Sequence, residues 1–127
     1  MFQVRIFPKG SVEIAFTNTR NQTNHTVVWM LQNTGTTIYH NGSKTADEES
    51  IIKYNELNDI HISFTTTQIT VKNLDHKKIT ITGDYHFLRF IGFDSTLDSS
   101  WVVQESNMFS CEKKTNEFFS SNPIRDN

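Results

Sequence analysis

The stretch Ile60-His61-Ile62-Ser63-Phe64-Thr65-Thr66-Thr67-Gln68-Ile69-Thr70-Val71 alternates apolar and polar side chains, pauses over a short polar turn and resumes the alternation. Successive side chains of a β-strand point to opposite faces, so a period of two gives each half one apolar and one solvated face. Two such halves joined by a few polar residues predict an antiparallel hairpin.

The same period recurs on both sides. Phe2, Val4 and Ile6 share a face that ends at Pro8-Lys9-Gly10, where a fixed φ followed by a permissive residue favours a turn, and Val12, Ile14 and Phe16 form the next block. These two blocks read as a hairpin, and the polar residues 17–26 as a loop. Residues 27–31 are apolar throughout, which predicts a strand covered on both faces or one that turns Trp29 outward. Asn33-Thr34-Gly35 is a turn before the β-branched and aromatic Thr36-Thr37-Ile38-Tyr39-His40. Residues 43–50, with Asp47-Glu48-Glu49, read as solvated loop, and Ile51-Ile52-Lys53-Tyr54 as a short strand. Ile79 and Ile81 mark a further strand, Gly83-Asp84 a turn, Phe87 to Phe93 an apolar run broken by Arg89, and Trp101-Val102-Val103 the last block.

About ten short strands, few prolines and no amphipathic helix predict an all-β fold, a single antiparallel β-sandwich, with a closed barrel as the alternative. A chain of 127 residues holds one core. The sandwich domain is expected over residues 2–104; beyond it the period is lost, and residues 105–127 read as a polar tail carrying Phe109, Phe118 and Phe119.

The order of blocks resembles the farnesoic acid O-methyltransferase-like domain, a module of invertebrate proteins. Phe2-Gln3-Val4-Arg5 followed by Val12-Glu13-Ile14-Ala15-Phe16 is similar to its first hairpin. Residues 60–71 are similar to its central one, and Phe90-Ile91-Gly92-Phe93 leading to Ser100-Trp101 to its closing segment. Gln32-Asn33-Thr34-Gly35 stands where the family has a glycine-rich stretch, and Phe64 where it often has tryptophan. The resemblance spans residues 2–104 and implies a lectin-like, jelly-roll type of sandwich. The chain has neither the glycine-rich strand-to-helix turn nor the α/β alternation that usually holds a methyl donor, so methyl transfer is not expected.

Composition narrows the partners. Twelve Lys and Arg against 14 Asp and Glu give a net charge of −2, with the cations scattered, which disfavours nucleic acid. No apolar run approaches bilayer length. A carbohydrate or another protein remains as the expected partner, with a homo-oligomer as one form of the latter. Cys111 is the single cysteine, so it forms no intramolecular disulfide; in an oxidising compartment it would pair between chains. Asn21, Asn24 and Asn41 head glycosylation sequons, a triplet that chance also supplies in a chain rich in Asn, Ser and Thr. A single cysteine fits a cytosolic protein as well as a secreted one; the extracellular compartment is slightly favoured, and there the chain would be a secreted glycoprotein.

No catalytic, cofactor or metal set emerges. The five histidines, at positions 25, 40, 61, 76 and 86, include no His-x-His and no His-x-x-x-His pair, and His61 alternates outward between Ile60 and Ile62. Asp94 and Asp98 share a loop without EF-hand spacing. No Ser lies in a Gly-x-Ser-x-Gly elbow. The chain is therefore expected not to be an enzyme. As ligand-loop candidates there remain Tyr85 and His86, expected to be exposed beside Gly83-Asp84, together with Asp94 and Asp98. Sugar rings stack on aromatics, which brings Trp29, Tyr39, Tyr54 and Trp101 into consideration, although core packing explains most of them.

Overall fold

The hairpin expected at residues 60–71 is present, with Ile62 opposite Val71 and Phe64 opposite Ile69. The computed structural model describes residues 2–18, 26–73 and 77–95, and the backbone of 100–105, 110–113 and 117–120. Among them twelve strands follow in order: β1 (Phe2–Phe7), β2 (Val12–Thr17), β3 (Val27–Gln32), β4 (Gly35–His40), β5 (Ser43–Glu48), β6 (Asn58–Phe64), β7 (Gln68–Asn73), β8 (Lys78–Thr82), β9 (Phe90–Ser95), β10 (Ser100–Glu105), β11 (Ser110–Lys113) and β12 (Glu117–Ser120). They form two six-stranded antiparallel sheets, ordered β11-β10-β1-β6-β7-β8 and β12-β9-β2-β3-β4-β5. The protein is a β-sandwich.

Its core is the set of alternate residues that the period of two assigns to one face. From the first sheet come Val4, Ile60, Ile62, Ile69 and Val71, and from the second Ile14, Phe16, Trp29, Leu31, Ile38 and Ile91, all at most 2% exposed. Each such side chain contributes about 1.5–3 kcal/mol by leaving water.

Several expectations need correction. The blocks at Phe2 and Val12 are not a hairpin: β1 pairs with β6 and β10, whereas β2 pairs with β3 and β9. The buried Pro8 and Gly10 turn the chain from one sheet into the other, and the Pro8 carbonyl accepts the Asn55 N–H at 2.7 Å. A hairpin and a corner between sheets need the same apolar alternation, so the pattern cannot distinguish them.

Strand β3 is covered on one face only. Val27, Trp29 and Leu31 are buried, while Val28 and Met30 lie on the outer face, half-buried. Residues 43–48 are strand β5, not loop, and Asn41 (φ 51°) with Gly42 (φ 87°) forms the tight turn into it. Positive φ at both central residues suits the right-handed twist of the strands it joins. Residues 51–54 are not a strand: Ile51 and Ile52 are consecutive and both buried, which an alternating strand cannot provide, and they plug the end of the core within the β5–β6 connection. The apolar run that begins at Phe87 becomes strand only from Phe90.

Strand pairing also continues past residue 104. Cys111 of β11 pairs with Val103, and Phe119 of β12 with Ile91, so the polar tail adds one edge strand to each sheet. Polar residues suit an edge strand, which needs little apolar surface and resists further pairing.

Candidate binding face

Directly paired residues of antiparallel strands project to the same side of a sheet. On the outer face of the first sheet this rule aligns Gln3 with His61, His61 with Lys72, and Ser63 with Thr70. Arg5 and Asp59 are also opposite each other there, 3.6 Å apart. This face is polar.

The outer face of the second sheet is built differently. One row runs Gly92, Ala15, Val28, Tyr39, Lys44 across β9, β2, β3, β4 and β5, and the next runs Asp94, Glu13, Met30, Thr37, Asp47. Ala15, Val28, Met30 and Tyr39 make a half-buried apolar patch bordered by charge on both sides. Apolar residues on the solvent side of a sheet do nothing for the core, and a contiguous group of them marks a contact surface.

Tyr39 stands where the β4–β5 register shifts, between Ile38 and Tyr39. Such a bulge increases local twist and re-aims a side chain. Beside it, Lys44 Nζ lies 2.8 Å from Asp47 Oδ2, and Thr37 Oγ1 donates to Asp47 Oδ1 at 3.2 Å. The Lys44 hydrogen bond holds the Asp47 carboxyl below its usual range, and Asp47 in turn raises the lysine. On the opposite border, burial and then the neighbouring Asp94 raise the Glu13 carboxyl above its ordinary value. Asp94 itself accepts the Ser95 N–H at 2.8 Å. The patch thus offers an aromatic ring, apolar surface, two carboxylates on one side, and a fixed ammonium–carboxylate pair with a hydroxyl on the other.

Among the described residues, the ligand candidates read from the sequence do not converge. Asp94 belongs to this face, in β9 instead of a loop. Tyr85, expected exposed, is 4% exposed at the end of the sandwich toward which β4 runs, its ring stacked on His40 at 6.0 Å. Burial raises its hydroxyl above the ordinary tyrosine value. His86 is exposed as expected and pairs with Asp84. Asp98, Asn21 and Asn24 lie outside the described residues, as do the side chains of Cys111 and Trp101. Asn41 is exposed in its turn and accepts the Thr26 N–H at 2.9 Å through Oδ1. Trp29 is fully buried and so unavailable to a ligand. Among the described residues no group of three or more His, Cys, Asp or Glu side chains is arranged to hold a metal.

Glu13, Val28, Met30 and Lys44 were not singled out from the sequence, and Asp47 was read as a solvated loop residue. The signal was present in Val27-Val28-Trp29-Met30-Leu31: once three alternate residues fill the core, the other two are surplus to it. Comparison with protein-family models, curated proteins and solved structures finds no match to this chain.

Proposed function

We propose that the chain is a noncatalytic carbohydrate-binding domain whose ligand lies on the outer face of the second sheet. The observation that carries this reading is Tyr39 at the bulge, flanked by Val28 and Met30 and bordered by the Lys44–Asp47 pair. A sugar presents an apolar C–H face that packs on an aromatic ring, and hydroxyls that exchange hydrogen bonds with carboxylates, ammonium groups and amides. The lectin-like resemblance of residues 2–104 agrees with it. Glu13 and Asp94 are direct cross-strand neighbours on one side of an open face. Two carboxylates that perform glycoside hydrolysis must instead flank the scissile bond.

The test is a glycan array followed by titration of any sugar retained. Tyr39→Ala should weaken binding by about tenfold, the scale of one lost stacking contact. An array blank for wild-type protein, or equal affinity in the variant, refutes the reading.

Assembly through sandwich edges and the C-terminal segment is the second reading, favoured by Cys111 on the edge strand β11, where a disulfide between chains would link two copies. Nonreducing electrophoresis with light scattering tests it. A monomer unaffected by reductant removes the disulfide-linked form.

A further inference from the structure

The β5–β6 connection, residues 49–57, crosses from one sheet to the other without forming a strand or helix. A connection of this kind usually wanders, yet this one is tied to five residues outside it. The Ser50 hydroxyl lies 2.7 Å from the Gln32 carbonyl. Asn33 Oδ1 accepts the Tyr54 N–H at 3.2 Å, and Pro8 the Asn55 N–H. Asn73 Nδ2 donates to the Ile51 carbonyl at 2.6 Å. Asn58 grips the connection from both sides: its amide donates to the Lys53 and Glu56 carbonyls at 2.8 and 3.0 Å and accepts the Lys53 N–H at 3.0 Å.

Under this connection lies a cavity of about 370 Å³ at the end of the sandwich, within the range that takes a small organic ligand. Asn58 contributes to its wall but spends its amide on backbone, so it shapes the cavity and offers a ligand little. Among the described lining residues, those whose polar side-chain groups are left to meet a ligand are Lys53, Lys77, Glu56 and, through its amide nitrogen, Asn33. Among the described residues Lys77 meets the Glu49 carboxylate, 4.0 Å away with both side chains at least half exposed, a contact of little strength. Among the described residues the lining carries two cations and one anion, with the exposed Glu49 beside Lys77 at its margin, in a chain whose net charge is −2.

We propose that this cavity is a second binding site, distinct from the Tyr39 face, for a small hydroxylated molecule that carries an oxyanion, with Lys53 and Lys77 holding the charge. Phosphate and carboxylate share the required chemistry: a compact negative group that accepts from two flexible ammonium donors. The pinned connection makes the cavity preformed, so binding spends little on ordering it.

The test is amide chemical-shift mapping of the whole chain, titrated separately with glucose, gluconate and glucose 6-phosphate at constant ionic strength. The expected result is saturable shifts at Asn33, Lys53, Asn58 and Lys77 with at least one charged probe and none with glucose; which charged probe responds identifies the oxyanion. Lys53→Met and Lys77→Met should each weaken that binding about three- to tenfold. Glu56→Gln should tighten it, and Lys72→Met, on the outer face of the first sheet, should leave it unchanged. Tyr39→Ala should also leave it unchanged, which separates this site from the proposed sugar face. Equal shifts with glucose, an undiminished response in the Lys53→Met/Lys77→Met double variant, or shifts that spread without saturation to Lys72 and other surface lysines would each overturn the proposal. All four of these charged side chains are exposed, and the spectra themselves report whether a variant is folded.

Discussion

His40 Nε2 lies 3.0 Å from the Tyr85 hydroxyl, and His40 Nδ1 lies 2.7 Å from Thr45 Oγ1. Each hydroxyl also has a backbone acceptor, Thr45 Oγ1 the Ile38 carbonyl at 3.3 Å and Tyr85 the Thr82 carbonyl at 3.4 Å. One imidazole thereby joins the edge strand β5 to the segment between β8 and β9.

Burial lowers the His40 pKa below its ordinary 6.5. The unfolded chain consequently binds this proton more readily than the folded one. Its contribution to stability is complete above the ordinary value, declines as pH falls below it, and levels off beneath the lowered folded value. Urea denaturation of wild type and His40→Phe across that interval should show a pH-dependent difference between the two, with wild type losing stability faster on acidification. Parallel curves would mean that His40 titrates alike folded and unfolded.

Glu13 has the opposite sign. Its folded pKa is raised above 4.5, first by burial and then by Asp94, so the ionised carboxylate costs stability that is recovered when it is protonated. That cost appears as pH rises through the unfolded value toward the folded one. Glu13→Gln should stabilise the protein at neutral pH by less than about 1 kcal/mol, since solvent screens a partly exposed group. The gain should vanish below the carboxylate range. A destabilised Glu13→Gln at neutral pH would show that the carboxylate makes a favourable contact instead.

Asn58 is 4% exposed, and both ends of its amide are used by the β5–β6 connection. Asn58→Leu leaves the Lys53 N–H and the Lys53 and Glu56 carbonyls without it, at a cost of about 2–3 kcal/mol. Thermal melting reads that loss, and hydrogen exchange should locate its onset at residues 49–57. Uniform loss of protection across both sheets would assign Asn58 to the core instead.

Trp29 is completely buried, and its indole Nε1–H meets no acceptor among the described residues. Trp29→Phe removes that unpaired donor along with some volume and should cost under about 1.5 kcal/mol. Trp29→Ala opens a cavity and should cost about 3–5 kcal/mol. Urea midpoints distinguish the two, and a phenylalanine variant as damaged as the alanine one would reveal a bound acceptor, such as an internal water.

The fold class was legible because the period of two is written into Phe2-Val4-Ile6, Ile14-Phe16 and Ile60-Ile62, and burial of one face enforces it. What the period leaves out is which strands are partners. It therefore could not tell the corner at Pro8 from a hairpin, and it missed β5, whose exposed Ser43-Lys44-Thr45 has no apolar face to display. Asn41-Gly42 was the readable clue to β5, since that dipeptide specifies a tight hairpin turn. The candidate face was half legible. Tyr39 and Asp94 stand out by chemistry, but Glu13, Met30 and Lys44 join them only through cross-strand register, which no local pattern encodes. The end cavity depends on Asn33, Asn58 and Asn73 meeting over distances set by the fold, beyond the reach of any motif.

The corner between β1 and β2 bears on how the chain reaches its native state. Val4 finds one partner at Ile60 and the other at Val103, and Ile14 has one of its two at Phe93. The first strand therefore has no nearby segment with which to zip, and closing its loops must be financed by contacts made far along the chain. On the ribosome, the β3–β4–β5 and β6–β7–β8 meanders can form as they emerge. Strand β1 can pair on both edges only after residue 105 has left the exit tunnel, so the first strand to be made waits for a late one before both its edges are covered.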